Sequence, residues 1–202
     1  EGSPAFLVSK AIERYGVSLV VMGTGGGKNL MKRVLGTTAE AVAKLGLCPV
    51  LTIPESAVIK PIEHIVYAAD FENGDQVTAL QLLQLKELFG ATLTFLHIKS
   101  ESQPDYIDDE YIKESLVKQF PSANINFVEI KNKDVAEGIS TYVSANNTSL
   151  LAFTILNRNL LEKVLHSSVT HKLLQKLYSP MLALPENGTL LELKQQERAE
   201  KE

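Results

Sequence analysis

Apolar residues in this chain come in two arrangements: short unbroken runs, and longer stretches in which they recur at helical spacing. Ser3-Pro4 reads as an N-cap and first helical position. Val8, Ala11, Ile12 and Tyr15 then make one apolar face, and Gly16 ends the helix. The run Val17–Met22 is long enough for one buried parallel strand. A helix follows from about Thr38 to Leu45, with Ala39, Val42 and Leu45 inward, and Val50–Ile53 is a short strand bounded by Pro49 and Pro54. From Pro61 the pattern restarts. Ile62–Ala69 is a strand ending in Asp70, and Gly74–Phe89 is a helix with Val77, Leu80, Leu83 and Leu88 among its apolar positions, closed by Gly90. Ala91–Ile98 is a buried strand. The polar, acidic stretch Lys99–Tyr111 leads into a helix up to about Gln119, stopped by Pro121. Ile125–Ile130 alternates as a strand does, and Asp134 opens a helix whose Val135, Ile139, Tyr142 and Val143 share a face. Ser149–Phe153 is the fourth strand of this part, residues 168–178 its last helix and Met181–Leu184 its fifth strand. The alternation predicts an α/β fold with a mostly parallel sheet and right-handed crossovers.

The first strand runs straight into a glycine cluster, Gly23, Gly25, Gly26 and Gly27, and Gly36-Thr37 precedes the next helix. Strand, glycine loop and helix start, in that order, expose backbone N–H groups to an anion. Glycine lets a phosphate approach without meeting a Cβ, while Thr37 and Thr38 can cap the helix and donate hydroxyls. A Walker loop does not fit, because Met22 and Asn29 stand where its first glycine and its Ser or Thr belong. A dinucleotide fingerprint begun at Gly23 and Gly25 meets Lys28 at its third small position. The spacing present is Gly-x2-Gly-x9-Gly-Thr, at Gly23, Gly26, Gly36 and Thr37. Taken without its surroundings, this loop is equally readable as a flexible turn with glycines for clearance. Lys28 either reaches a phosphate or stays solvated.

The spacing and its flanks resemble the universal stress protein family: Gly2-Ser3-Pro4-Ala5, Leu19-Val20-Val21-Met22-Gly23-Thr24, and Cys48-Pro49-Val50-Leu51-Thr52-Ile53-Pro54 all look like it. The two parts of the chain are also copies of each other. Thr24-x4-Asn29-Leu30-x2-Arg33-Val34-Leu35-x-Thr37-Thr38 lines up with Thr154-x4-Asn159-Leu160-x2-Lys163-Val164-Leu165-x-Ser167-Ser168, and Pro49-x4-Pro54 recurs as Pro180-x4-Pro185. The resemblance covers residues 1–185 and is weakest over 99–130. It implies a Rossmann-like fold of the adenine nucleotide alpha hydrolase type, in tandem domains with five-stranded parallel sheets. Residues 1–56 would be the back half of a first domain, 57–187 a complete second domain and 188–202 a charged tail. The start at Glu1, without methionine, suggests a processed, trimmed or partial product.

The resemblance further implies adenine nucleotide binding, ATP with or without Mg, at Met22, Gly23, Gly26, Gly27, Gly36, Thr37 and Thr38. In the second copy the three glycine positions hold Phe153, Leu156 and His166, and only Ser167 keeps the hydroxyl. Losing two charge-assisted backbone bonds at about 1.5–3 kcal/mol each weakens binding by roughly 10²- to 10⁴-fold. Asp70 matches the family's acidic residue near the base or ribose, so the second site would retain that residue without its phosphate loop. The family also pairs through fifth strands, which makes Val50–Ile53 and Met181–Leu184 partners in an internal pseudo-dimer and a homo-oligomer an expected state.

Composition narrows the alternatives. At 202 residues, 45% hydrophobic and 22% charged, the chain is ordinary for a globular protein. A net charge of −4 gives no electrostatic case for nucleic acid or an anionic membrane. No apolar run approaches spanning length, and no signal peptide opens the chain. The single Cys48 suits a reducing cytoplasm, and its place before Pro49 at a strand start points to core packing. His97, at the end of an apolar strand, reads as a hydrogen-bonded core histidine. His166 and His171 are off the i, i+4 spacing a metal pair prefers. Asp105, Asp108, Asp109 and Glu110 lack the glycine and terminal glutamate of a calcium loop. With no nucleophile–base pair legible, the expected function is a cytoplasmic, nucleotide-responsive stress regulator or binding module and no dedicated enzyme. The other readings are a scaffold that works by dimerisation without nucleotide, and slow ATP hydrolysis, for which no base or metal ligand stands out.

Overall fold

The computed structural model describes residues 2–24, 37–55, 57–69, 75–100, 109–155 and 179–185. The order is α1 (Pro4–Tyr15), β1 (Val20–Gly23), α2 (Thr37–Ala43), β2 (Val50–Ile53), β3 (His64–Ala69), α3 (Asp75–Phe89), β4 (Thr92–Lys99), α4 (Asp109–Gln119), β5 (Ile125–Lys131), α5 (Val135–Ala145), β6 (Leu150–Ile155) and β7 (Met181–Pro185). The predicted helix over 168–178, the acidic loop residues 105 and 108 and the charged tail lie outside the described residues.

Local chemistry sets the helix ends. The Ser3 hydroxyl accepts the N–H of Phe6, Pro4 opens α1, and Gly16 closes it with left-handed backbone (φ 62°), its N–H on the Ile12 carbonyl. Asp134 caps α5 by accepting from Ala136 and Glu137. On α5 the predicted face holds, with Ile139 and Val143 buried and Val135 and Tyr142 packed beside them. Two other helices turn differently from their sequence pattern. Tyr15 of α1 is 71% exposed, under the Arg14 guanidinium, and α1 seats only Ala5, Val8 and Ile12 on the core. On α3 the core face is Ala79, Leu82 and Leu83, while Leu88 is 74% exposed and Val77 and Leu80 are also exposed. The helix carries two apolar stripes, and the one containing the small Ala79 is the one pressed to the sheet. Leu45, just past α2, is likewise exposed, because that helix ends at Ala43.

All seven strands join one sheet in the order β1-β2-β7-β6-β3-β4-β5. Its neighbours are parallel except β2 and β7, which run antiparallel with Val50 opposite Ala183, Leu51 opposite Leu182 and Thr52 opposite Met181. The strands expected to form a five-stranded sheet and half of another are thus continuous. The Thr52 hydroxyl donates to the Met181 carbonyl at 3.2 Å across that junction. One face of the sheet packs Ile12, Ala39, Val42, Ile139 and Val143 from α1, α2 and α5. The other packs Leu82 and Leu116 from α3 and α4 over Tyr67 and Phe95, whose rings meet edge to face at 5.0 Å.

Candidate functional site

The carboxyl ends of the parallel strands are where a β-loop-helix unit can present backbone to a ligand. In the first copy that place is the end of β1. Met22 turns toward the α1–α2 side of the sheet and is half-buried there, while Gly23 turns to the opposite face. Thr24 still donates its N–H to the Ile53 carbonyl at 3.0 Å, so the strand is held to its last residue. A Cβ built on Gly23 meets no atom within 4 Å. Among the described residues, none packs against this position. α2 begins at Thr37, at this same end of the sheet, with Thr38 half-buried in its first turn. Gly26, Gly27, Lys28 and Gly36 lie outside the described residues.

The equivalent place in the second copy is the end of β6. Asp70, Leu156, His166 and Ser167 lie outside the described residues, which leaves Phe153 and Thr154. Phe153 sits level with Ala68 of β3 and packs against the α5 side of the core. The loop spacing sets Phe153 against Gly23, but the ladder is one residue out of step with it. Gly23 lies beside Ile53 of β2, and its counterpart beside Leu184 of β7 is Thr154. The Thr154 hydroxyl lies 2.8 Å from the Tyr67 hydroxyl. Where the first copy has no described residue within reach of a Cβ, the second has a side chain held by a neighbour. This Tyr67–Thr154 pair escaped the sequence reading, although two hydroxyls on otherwise apolar strands were the available signal.

Two further candidates, His97 and Cys48, are buried in the core. His97 is buried and lies 3.0 Å through Nδ1 from the Ala69 carbonyl, so that nitrogen carries the proton. Cys48 is buried, and desolvation pushes its thiol up to about 11 against a lowering backbone hydrogen bond from Val20. Among the described residues no three His, Cys, Asp or Glu side chains cluster as a metal site, and no helix is long and apolar enough to cross a membrane.

The sequence matches the model of the universal stress protein family over residues 1–54 and 61–185. The chain belongs to the universal stress protein family. Among solved structures, this universal stress protein is similar to one from Archaeoglobus fulgidus DSM 4304, at 17% identity and a TM-score of 0.69 over 92% of this chain. It spans 66% of the length of that protein. A functionally unknown protein from Pseudomonas aeruginosa PAO1 is similar at 16% identity and a TM-score of 0.57, over 100% of this chain and 74% of the other. At such identities the likeness is one of fold. A search of curated proteins finds no match to this universal stress protein.

Proposed function

We propose that this universal stress protein is a stress-response regulator or binding module that binds an adenine nucleotide, ATP, beyond the carboxyl end of β1. The phosphates would lie on the backbone of Gly23, Gly26, Gly27 and Gly36, with Thr37 and Thr38 donating hydroxyls and Met22 beside them. The observation that carries this reading is the open space over Gly23, where a Cβ would touch none of the described residues. A glycine at this point lets a ligand approach the backbone closely. The second copy fits a nucleotide poorly, since Thr154 and Tyr67 engage each other at the corresponding rung. Its role in this reading is to carry the first copy on the β2–β7 ladder as an internal pseudo-dimer. Bound ATP acts as a signal and no hydrolysis is assigned to it; the buried lone cysteine suits a reducing, cytoplasmic setting.

Titration calorimetry of the 202-residue chain against ATP, with Gly26→Val beside it, tests the assignment. ATP heat in the parent chain and none in the variant is the expected result. Equal affinity in the two removes Gly26 from the site. The second reading, a dimerisation scaffold without nucleotide, draws on the same β2–β7 ladder and is favoured if the purified protein neither retains nor binds ATP.

A further inference from the structure

The outer faces of two helices carry opposite charge at nearly the same spacing. On α1, whose core side is Ala5, Val8 and Ile12, the outward positions include Phe6, Lys10 and Arg14. These stand four residues apart and so lie above one another along the helix. Phe6 is 51% exposed, with the Lys10 ammonium 5.8 Å from its ring centre, and the Arg14 guanidinium lies 5.4 Å from that of Tyr15. Ser3 and Asp134 cap α1 and α5, and Gly16 and Asn147 follow them in left-handed backbone, which aligns the two helices. The α5 counterparts of Phe6, Lys10 and Arg14 are then Glu137, Thr141 and Ala145, and these are exposed too. This is therefore the outer face of the helix in either copy. On α4, whose core side is Ile112, Leu116 and Phe120, the outward positions include Glu110, Glu114 and Val117. Val117 is 54% exposed, and Tyr111, next to Glu110, is 67% exposed.

We infer that the outer face of α1 is a docking surface for α4 of a second copy of this chain, the two helices antiparallel. In that arrangement Arg14 meets Glu110, Lys10 meets Glu114 and Phe6 meets Val117, basic on acidic and apolar on apolar in one register. The rise along a helix keeps the match, with about 6 Å between neighbours on α1 and about 6 and 4.5 Å between those on α4. The parallel direction would set Phe6 against Glu110 and Arg14 against Val117, and loses both. Tyr111 comes beside Arg14 at the same end, a further ring for its guanidinium. Lys10 is paired along its own helix with Glu13 at 3.0 Å and Glu110 with Lys113 at 3.6 Å, exposed pairs of small worth that a partner's charge can replace. α1 and α4 stand on opposite faces of the sheet, so one chain cannot make this contact with itself. Stacking the α1 face of one chain on the α4 face of the next turns their other faces apart. The contact is therefore head-to-tail and adds copies in a row. It uses neither the β2–β7 ladder nor the end of β1, and does not depend on nucleotide.

Sedimentation velocity of the 202-residue chain tests this in about 0.01 M and about 1 M salt, where screening lengths are roughly 30 Å and 3 Å. Association that grows with protein concentration is expected at the low salt and should be lost at the high. The double variant Lys10→Glu/Arg14→Glu should weaken it roughly 10- to 100-fold, the worth of two exposed ion pairs lost and reversed. Glu110→Lys/Glu114→Lys should do the same. That second variant brings the net charge from −4 to zero, which by itself favours association. Its weakening separates a contact between these helices from repulsion between whole molecules. A mixture of the two double variants, and a single chain with all four positions reversed, should each associate as the parent does. All four positions are exposed, and melting curves check that each variant is folded. A mass that salt does not change, stronger association of Glu110→Lys/Glu114→Lys, or failure of the fourfold variant and the mixture to recover would each overturn the inference.

Discussion

Gly23 and Thr154 occupy the same rung of two copies of one strand, and a single side chain separates their fates. Gly23→Val should leave thermal stability unchanged or slightly raised, because its Cβ meets none of the described residues and a β-branched residue suits a strand. ATP affinity should fall about 10- to 150-fold, the loss expected for one charge-assisted backbone bond. Calorimetric titration beside a melting curve reads both, and a destabilised variant would mean that the glycine serves packing. Cys48 shows the opposite case, a group withdrawn from chemistry. With its thiol raised from 9.0 to about 11, the native state holds its proton where the unfolded chain releases it. The contribution to stability is therefore full below pH 9 and is lost as pH rises to about 11. Urea titrations should show a downward trend across that window that Cys48→Ala flattens. Thiol reagents at neutral pH should label the native protein at its unfolding rate.

At the scale of elements, β3 and β6 are stitched where they begin. The Ser149 hydroxyl accepts from Glu63 at 3.0 Å and His64 at 2.9 Å and donates to the His64 carbonyl at 2.8 Å. Ser149→Ala leaves those N–H groups without that acceptor and should cost about 1–3 kcal/mol in urea unfolding. A loss within error would show that water replaces the hydroxyl. Nothing in the sequence distinguished this serine from its neighbours, since its partners lie far along the chain. What was legible is local. Ser3-Pro4, Gly16, Asp134 and the proline-bounded strands Val50–Ile53 and Met181–Leu184 announce themselves through backbone chemistry that needs no tertiary partner. Of the apolar positions expected on α3 only Leu83 is buried, because Val77, Leu80 and Leu88 compete with Ala79 and Leu82, and only the sheet decides between them. The glycine spacing placed the candidate site at the end of β1. The one-residue step between loop and ladder, and the Tyr67–Thr154 contact, required the strands to be side by side.

In the whole molecule, the second copy contains a parallel five-stranded set, β5-β4-β3-β6-β7, with its own two-sided core. A polypeptide of residues 58–188 should fold cooperatively, and it should show no heat with ATP even at high nucleotide. Removing β2 also uncovers the edge of β7, where Met181, Leu182 and Ala183 are all but fully buried in the intact chain. The isolated piece should therefore sediment at about twice its monomer mass, since an uncharged apolar edge finds a partner. A monomeric, stable 58–188 would show that β7 does not need to be paired. Residues 2–54 in isolation bury too little to fold, as even complete domains of that size are marginal.

The rung that joins the copies also sets a waiting time. Thr52 meets Met181, 129 residues later in the chain. At roughly 5–20 residues per second of synthesis, β2 leaves the ribosome about 6–26 s before the strand that will cover it exists. Helix α1 and the β1–β2 pair rest on local and short-range contacts meanwhile, with the edge that will meet β7 still open. Over that interval the β2 edge waits uncovered, and the second copy, arriving with its five strands contiguous in sequence, is the part that closes it.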